Sequence, residues 1–199
     1  MSVRVAVEIR SGGRNQDRAQ YFSRAEVVCL ALADGAGGFG DGGRAADRVI
    51  AEAEAFSVGA HTSATSALES ADVALARDGS LSTGVIVEIQ RGLVSGASAG
   101  DSIAWLVNEG EIWELTSAQF RKPLLGGGAC PVSFSAPGLR GRLLVASDGL
   151  INYVSREQII LAASGAELGA SARALAELPR LASGTFPDDV SILLAESDA

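Results

Sequence analysis

The stretch EVVCLALADGAGGFGDGG, residues 26–43, decides the fold. Residues 26–33 form an apolar run, which predicts a strand buried on both faces. The run ends at Asp34, and a glycine-rich stretch follows it. Residues 44–56 then repeat apolar side chains at helical spacing. The chain therefore passes from a buried strand through an aspartate and a glycine-rich turn into a helix.

The same patterns extend in both directions along the chain. They predict a loop at 11–18 and an irregular segment at 117–135, which contains three consecutive glycines at 126–128. Alternating or continuous apolar runs predict the other strands, and 3.6-residue periods predict the other helices. The further strands are 3–9, 83–90, 93–99, 103–108, 111–115, 142–146 and 190–195, and the further helices are 63–77, 156–163 and 167–181. This order predicts a layered α+β fold with antiparallel sheets covered by helices, in a single domain over residues 1–199.

Composition excludes several classes of protein. With 47% hydrophobic and 20% charged residues, the 199-residue chain can build a large core and is not a disordered protein. Its net charge of −8 disfavours nucleic acid and anionic membranes as partners. The cysteines, Cys29 and Cys130, form no CxxC pair. The N-terminus does not resemble a signal peptide, and no apolar stretch is long enough to span a membrane, so we expect a cytoplasmic protein.

Aspartates recur where predicted strands meet turns. Asp34 and Asp148 each follow a buried strand and precede a glycine, and Asp188 precedes the last strand. Asp101 follows the strand at 93–99, and Asp17 lies in the loop before the buried strand. A single Asp-Gly is a common turn, but several carboxylates at strand ends would repel one another and lose hydration. Divalent cations offset both costs, and oxygen ligands without histidine or cysteine clusters indicate magnesium or manganese.

Six short motifs, in order along nearly the whole chain, resemble those of the metal-dependent serine/threonine protein phosphatases, the type 2C or PPM family. The closest parallels are the family's Asp-Gly-x-Gly-Gly, Gly-Asp-Ser, Ser-Asp-Gly-Leu and Asp-Asn-Ile-Thr motifs. In this chain the matching residues are Arg14-Asn15-Gln16-Asp17, Ala33-Asp34-Gly35-Ala36-Gly37-Gly38, Thr83-Gly84-Val85, Gly100-Asp101-Ser102, Ala146-Ser147-Asp148-Gly149-Leu150 and Asp188-Asp189-Val190-Ser191. The resemblance is to a small, bacterial-type member.

The resemblance implies a four-layer α-β-β-α sandwich, in which two stacked antiparallel sheets carry helices on both outer faces. It also implies that two Mn²⁺ or Mg²⁺ ions, with a possible third, are cofactors. Asp34 would bridge the two ions with help from the Gly35 carbonyl, and Asp148 and Asp188 would hold the first ion. Gln16 would lie beside the second ion and Asp101 at the third, and Asp17 is a further predicted metal residue.

The implied reaction is hydrolysis of phosphoserine or phosphothreonine by a water that bridges the two cations. Asp34 and Asp148 would act in catalysis through the metals. Arg14 is the predicted phosphate-binding residue, because a guanidinium group matches phosphate with two hydrogen bonds. Arg10 and Arg18 are alternatives. The partners implied are a phosphorylated protein substrate and a cognate kinase or its targets, while the oligomeric state is open.

Several positions depart from the family pattern. Gln16 replaces the usual glutamate, which predicts a weaker second metal. Asp189 replaces the usual asparagine, and it either restores the missing charge or is a surface residue. Ala36 lies where some members carry a histidine, and the one histidine, His61, matches no motif. Residues 119–122 replace an Asp-His pair, and Arg121 and Lys122 there are either substrate-binding or ordinary loop charges.

Three other functions compete with this interpretation. A catalytically weak or inactive pseudophosphatase would act as a binding module, but the loss of Asp34, Asp148 or Asp188 that would indicate it is not seen. A phosphatase dedicated to one partner, such as a phosphorylated anti-sigma antagonist or a kinase, fits the small size. A nucleotide-binding protein is disfavoured, because the glycines at 35–43 lack both the Gly-Lys-Ser/Thr ending and the dinucleotide spacing.

Overall fold

A computed structural model describes residues 2–36 and 41–198 of the chain. The last two glycines of the predicted Asp-Gly-x-Gly-Gly motif, Gly37 and Gly38, lie outside these residues. Strands and helices alternate in blocks, as the sequence predicts. In order they are β1 (Val3–Arg10), β2 (Asp17–Arg24), β3 (Val27–Ala36), α1 (Gly42–Ser57), α2 (Ala64–Asp78), β4 (Leu81–Ser82), β5 (Gly84–Gln90), β6 (Leu93–Ala99), β7 (Ile103–Asn108), β8 (Glu111–Glu114), β9 (Val132–Ala136), β10 (Arg142–Ala146), α3 (Asp148–Ile151), α4 (Arg156–Ala163), α5 (Leu168–Glu177) and β11 (Val190–Ser197).

The strands form two antiparallel sheets. The first sheet has the order β1-β11-β10-β7-β8, and the second has the order β2-β3-β5-β6-β9 with β4 added beside β3. The buried strands predicted from continuous apolar runs, β3 and β10, both lie inside a sheet rather than at its edge. Both faces of such a strand are covered, which explains why polar residues are absent from its middle.

Three apolar layers hold the four structural layers together. Between the sheets, Leu30 and Leu32 of β3 pack with residues of β5, β10 and β11. On the outer face of the second sheet, the neighbouring residues Ala31 and Ala33 pack against α1 and α2. Helices α3, α4 and α5 cover the outer face of the first sheet. The predicted α-β-β-α sandwich is therefore confirmed, and its layers follow from the two-residue alternation of each strand.

The sequence predictions miss or misplace five elements. The loop predicted at 11–18 is too long, because β2 begins at Asp17. Strand β9 begins within the segment predicted to be irregular, and the two-residue strand β4 was not predicted. Strands β2 and β9 are sheet edges with exposed polar residues, which hides their pattern. The short helix α3 was not predicted either, and α5 ends at Glu177 rather than at 181.

None of the described helices combines the length and apolar character that crossing a membrane requires. The longest helix, α1, has 16 residues and buries one side, mainly through alanine and valine, while its other side is polar. It begins at Gly42 behind Asp41, whose carboxylate accepts a hydrogen bond from the backbone N–H of Arg44. This cap fixes the start of α1 beside the end of β3.

Candidate metal and phosphate site

The acidic site is a continuation of the core between the two sheets. Leu30 and Leu32 of β3 face this core, so Asp34, two residues further along, lies on the same side of the strand. Across the ladder, Asp17 of β2 is directly opposite Asp34. The apolar row between the sheets therefore ends in two neighbouring carboxylates.

In the first sheet, the apolar side chains that face the core between the sheets are followed by serines rather than by acids. Ser147 follows Leu143 and Val145 in the alternation of β10, and Ser191 precedes Leu193 in β11. The Ser191 N–H donates to Ser147 Oγ at 3.0 Å, and the Ser147 N–H donates to the Ser191 carbonyl at 3.1 Å. Sequence analysis assigned no role to these serines. The two-residue period of β10 and β11 is the signal that indicates their position.

Asp17 is only 3% exposed and lies between the two sheets. Burial raises the pKa of Asp17 to about 6, against the effect of the nearby Ser147 and Ser191 hydroxyls, which lower it. Asp17 Oδ2 and Ser191 Oγ nevertheless have no hydrogen-bond partner among the described residues. Asp17 is therefore a buried carboxylate with unsatisfied acceptor capacity.

The backbone of Asp34 is fixed by its neighbours in β4 and β5. Its N–H donates to Thr83 Oγ1 at 3.0 Å, and its carbonyl accepts from the Thr83 N–H at 2.8 Å and from the Ser82 hydroxyl at 3.0 Å. Its side chain has no such support. Burial, together with the charges of Asp17, Asp148 and Asp188, raises the pKa of Asp34 to about 8.

Asp148 is the first residue of α3, immediately after β10. Burial raises its pKa, and so do the charges of Asp101 and Asp188, while Arg121 and a hydrogen bond from Asn152 lower it. The Asn152 Nδ2–H donates to Asp148 Oδ2 at 2.9 Å. The structure therefore brings together the predicted acids from four different parts of the chain.

Asp101 is positioned through a hydrogen bond between two of the sequence motifs. Thr83 Oγ1 and Ser102 Oγ are 2.8 Å apart and buried. The Ser102 carbonyl in turn accepts from Gln119 Nε2 at 2.9 Å, and the Gly100 N–H donates to the Phe120 carbonyl at 3.2 Å. The threonine and Gly-Asp-Ser motifs thus link the Asp34 backbone to the loop that carries Asp101.

Gln16 and Gly35 meet at the start of α1. The Gly35 N–H donates to the Gln16 carbonyl at 3.2 Å. A Cβ on Gly35 would lie 1.8 Å from the Gly42 carbonyl oxygen, and one on Gly42 would lie 2.6 Å from both Gln16 Nε2 and the Gly35 carbonyl oxygen. Only glycine fits at these two positions. The predicted metal-side groups of Gln16 and Gly35 are therefore adjacent.

Asp189 differs from these acids, although it follows Asp188 directly. It is 4% exposed, and its two oxygens accept from the Gly12 and Gln16 backbone N–H groups at 2.6 Å each. Burial raises the pKa of Asp189, but the backbone hydrogen bonds outweigh burial and leave the pKa below its ordinary value. The interpretation of Asp189 as a surface residue is wrong, because it holds the loop before β2.

The three candidate arginines are in different environments. Arg10 forms ion pairs with Glu8 and Glu177, and Arg18 pairs with Asp47 at 2.6 Å. Arg14 is exposed and has no ion pair with any residue that the structure describes. Arg14 alone among the three therefore has a guanidinium group available for a phosphate.

The donor set suits a hard divalent cation. Within residues 2–36 and 41–198, no three histidine, cysteine, aspartate or glutamate side chains are already arranged to hold a metal ion. The acids instead interact in pairs and through charge, and their donors are all oxygen atoms. A buried, unpartnered oxygen of Asp17 adds to the negative potential. By these criteria the residues fit magnesium or manganese rather than zinc.

Solved structures of bacterial phosphatases are similar to this chain over its whole length. The catalytic domain of the serine/threonine phosphatase PstP in complex with two manganese ions has a TM-score of 0.78 and 26% identity, with 98% of this chain and 97% of that chain covered. Stp1 from Staphylococcus aureus has a TM-score of 0.85 and 19% identity, with 100% and 96% covered.

A serine/threonine phosphatase from S. agalactiae has a TM-score of 0.84 and 20% identity, with 99% of this chain and 100% of that chain covered. No family model and no curated protein matches the sequence. The likeness therefore comes from structure, at sequence identities of 26%, 20% and 19%. This chain has the complete fold of the bacterial serine/threonine phosphatases of the type 2C family.

Proposed function

We propose that this protein is a metal-dependent phosphatase that hydrolyses phosphoserine and phosphothreonine in proteins. The proposal rests on one observation: Asp17, Asp34 and Asp148 converge from both sheets into one site, where burial and the charges of neighbouring aspartates raise the pKa of all three. Such an arrangement destabilises a protein unless cations neutralise it. Its occurrence in this fold, in which PstP is described with two manganese ions, supports a two-metal site.

The residues that would hold the cations follow from the positions described above. Asp34 and the Gly35 carbonyl would serve both ions, Asp148 and Asp188 the first, and Gln16 with Asp17 the second, with Asp101 available to a third. When bound, such cations neutralise charge on the phosphoryl group and lower the pKa of water at the site. Manganese and magnesium both prefer these oxygen ligands.

The chain's own residues contribute orientation and charge. Arg14 would bind the phosphoryl oxygens, since its guanidinium is exposed and unpaired among described residues. Water attacks phosphorus in line, the bond to the serine or threonine oxygen breaks, and that oxygen gains a proton. The histidine does not supply it, because His61 pairs with Glu52 between α1 and α2. The proton would come from water or a carboxylate.

Hydrolysis of p-nitrophenyl phosphate and of a phosphothreonine peptide tests the proposal, with manganese, with magnesium and with EDTA. Wild type is compared with Asp34→Asn and Asp148→Asn, and with Asp78→Asn, which removes an exposed charge at the end of α2. We expect metal-dependent turnover that only the first two substitutions abolish. A folded wild-type protein without turnover in any metal would instead support the pseudophosphatase alternative, for which the replacement of glutamate by Gln16 is the specific observation.

The physiological partner is also a proposal. An exposed arginine beside a site for a phosphoryl group suits a phosphorylated protein, and the cognate kinase or its targets are the natural candidates. The acidic surface, with a net charge of −8, makes nucleic acid an unfavourable partner. Pull-down of phosphorylated proteins by the Asp34→Asn variant, compared with Asp78→Asn, would identify the substrate.

A further inference from the structure

Two of the three consecutive glycines between β8 and β9, together with Ala129, donate to one carboxylate oxygen. Asp72, on α2, accepts hydrogen bonds at Oδ1 from the backbone N–H groups of Gly126 at 2.7 Å, Gly128 at 3.1 Å and Ala129 at 3.1 Å. Gly126 has φ +90°, and a Cβ there would lie 2.0 Å from the Ser80 carbonyl oxygen. Glycine at 126 is therefore required by this clamp, a role that the metal site does not explain.

The clamped segment, residues 115–131, is also attached directly to the acidic site. Leu125 is fully buried and exchanges two backbone hydrogen bonds with Ser82, at 3.0 and 3.1 Å. The Ser82 hydroxyl donates to the carbonyl of Asp34. At the other end, the Phe120 carbonyl accepts from the Gly100 N–H, next to Asp101. The four residues between these two attachments, 121–124, form a short arm that is tied at both ends to residues next to the acids.

This arm carries a cation toward the acids. Arg121 directly follows Phe120, whose carbonyl accepts from the Gly100 N–H beside Asp101, and it is exposed and has no ion pair with a described residue. Phe120 beside it is 62% exposed. A guanidinium group and an aromatic ring at the edge of a phosphate site match a phosphorylated peptide better than a small phosphate ester.

We propose that Asp72 is a positioning residue, which holds the 115–131 segment so that Arg121 contacts the phosphopeptide substrate. The inference rests on the proposed phosphatase function and adds a specificity device to it. Asp72 contacts the backbone of the segment at Gly126, Gly128 and Ala129, so it acts through backbone geometry rather than by touching substrate. The three N–H groups share one charged acceptor, so its loss releases all three together.

The loss of one negative charge in Asp72→Ala, taken alone, would strengthen peptide binding, whereas the proposal expects weaker binding. Removing Asp72 makes the protein less acidic, and this would favour binding of an anionic peptide. A weaker interaction with the peptide after Asp72→Ala would therefore reflect geometry. Glu69→Ala is the matched control, because Glu69 is an exposed acid on the same helix with no hydrogen bond to a described residue.

The experiment compares KM and kcat for the phosphothreonine peptide and for p-nitrophenyl phosphate. Asp72→Ala should raise the peptide KM roughly fivefold, as expected when one charge-assisted contact weakens, with little change in kcat or in either constant for the small ester. Glu69→Ala should match wild type. Arg121→Ala should raise the same KM, and adding Asp72→Ala to Arg121→Ala should raise it no further.

An unchanged peptide KM in Asp72→Ala would overturn the proposal, and so would an equal loss of kcat on both substrates, which indicates a general structural defect. If Asp72→Ala does not fold, Asp72→Asn keeps the Oδ1 acceptor without its charge. It should raise KM by a smaller factor and speed hydrogen exchange at Gly126 and Gly128. If the wild type has no turnover, the proposed phosphatase function is wrong, but the inference about Asp72 can still be tested. The Kd for the phosphothreonine peptide, measured by fluorescence anisotropy, must then rise in the same variants in which KM is expected to rise.

Discussion

Two groups of aspartates in this protein behave in opposite ways. The central carboxylates, Asp17, Asp34 and Asp148, have raised pKa values because burial and the charges of neighbouring aspartates oppose ionisation. The capping carboxylates, Asp72 and Asp189, each accept two or more backbone N–H groups from a glycine-containing loop. Among the described residues, no backbone N–H donates to a side chain of the central group, whereas such donors hold the capping group.

The difference shows that environment, rather than residue type, separates functional from structural acids. A carboxylate that accepts several N–H groups stabilises the fold and has no need of a cation. Carboxylates that face one another across two sheets destabilise the fold, and a bound cation would offset this cost. Substitution of a central carboxylate should therefore lower turnover, whereas substitution of a capping carboxylate should lower the stability of the fold.

The largest effect is expected from Asp34→Asn. Turnover with manganese should fall by about a thousandfold or more, since several kcal/mol of charge stabilisation depends on cations that Asp34 would hold. The midpoint of thermal unfolding in EDTA at pH 8 should be no lower than that of wild type, because the substitution removes a repelling charge. If Asp34→Asn hydrolyses p-nitrophenyl phosphate at close to the wild-type rate, Asp34 does not belong to the metal site.

The next effect is on stability. Asp189→Ala should lower the free energy of unfolding by about 2–4 kcal/mol, since backbone N–H groups of the loop before β2 lose a charged acceptor. Urea unfolding measures this, with Asp78→Ala as the control for loss of an exposed charge. If Asp189→Ala unfolds at the wild-type urea concentration, the division between central and capping carboxylates fails.

The pH dependence of stability has a definite sign. Because the pKa values of Asp17 and Asp34, about 6 and about 8, exceed those in the unfolded chain, the folded state retains protons that the unfolded state has released. In EDTA these two carboxyl groups therefore stabilise the folded state at low pH, and this stabilisation is lost as pH rises from about 4 to about 8. The thermal midpoint should fall over this window, less steeply in Asp34→Asn. A midpoint that rises for both proteins would contradict the assignment.

The smallest effect concerns Gln16. Gln16→Glu should tighten the weaker manganese site about fivefold, because affinity for hard cations rises with ligand charge. In EDTA at pH 8 the same variant should unfold at a lower temperature, since it adds a charge to the central group. Gln20→Glu on the exposed side of β2 adds the same charge outside the site. Calorimetric titration that shows no tightening in Gln16→Glu would count against a second metal at this position.

The interior strands and the acids at their ends could be predicted from the sequence. Strand β3 is covered on both faces, so its apolar run is unbroken and Asp34 stands out at its end. The edge strand β2 was missed, because DRAQYFSR leaves polar side chains in solvent. As a result Asp17 was expected in a loop, although it is paired with Asp34 in the ladder.

Other roles depend on contacts that no local pattern records. Asp188 and Asp189 are adjacent and identical in type, yet only the tertiary position of the loop at 11–16 makes the second one a cap. Asp72 lies within an ordinary helical pattern, and its acceptor role requires a segment more than 50 residues away. Arg14 remained available while Arg10 and Arg18 formed ion pairs, which sequence alone could not decide.

Titration with manganese by isothermal calorimetry at pH 7.5 tests the central claim most directly, since it does not depend on finding a substrate. Wild type is compared with Asp34→Asn and with Asp72→Asn, each checked for folding by circular dichroism. We predict that wild type and Asp72→Asn bind two manganese ions per chain, as described for PstP, and that Asp34→Asn loses this binding. A folded wild-type protein that binds no manganese, or an Asp34→Asn variant that binds it as wild type does, would contradict the account.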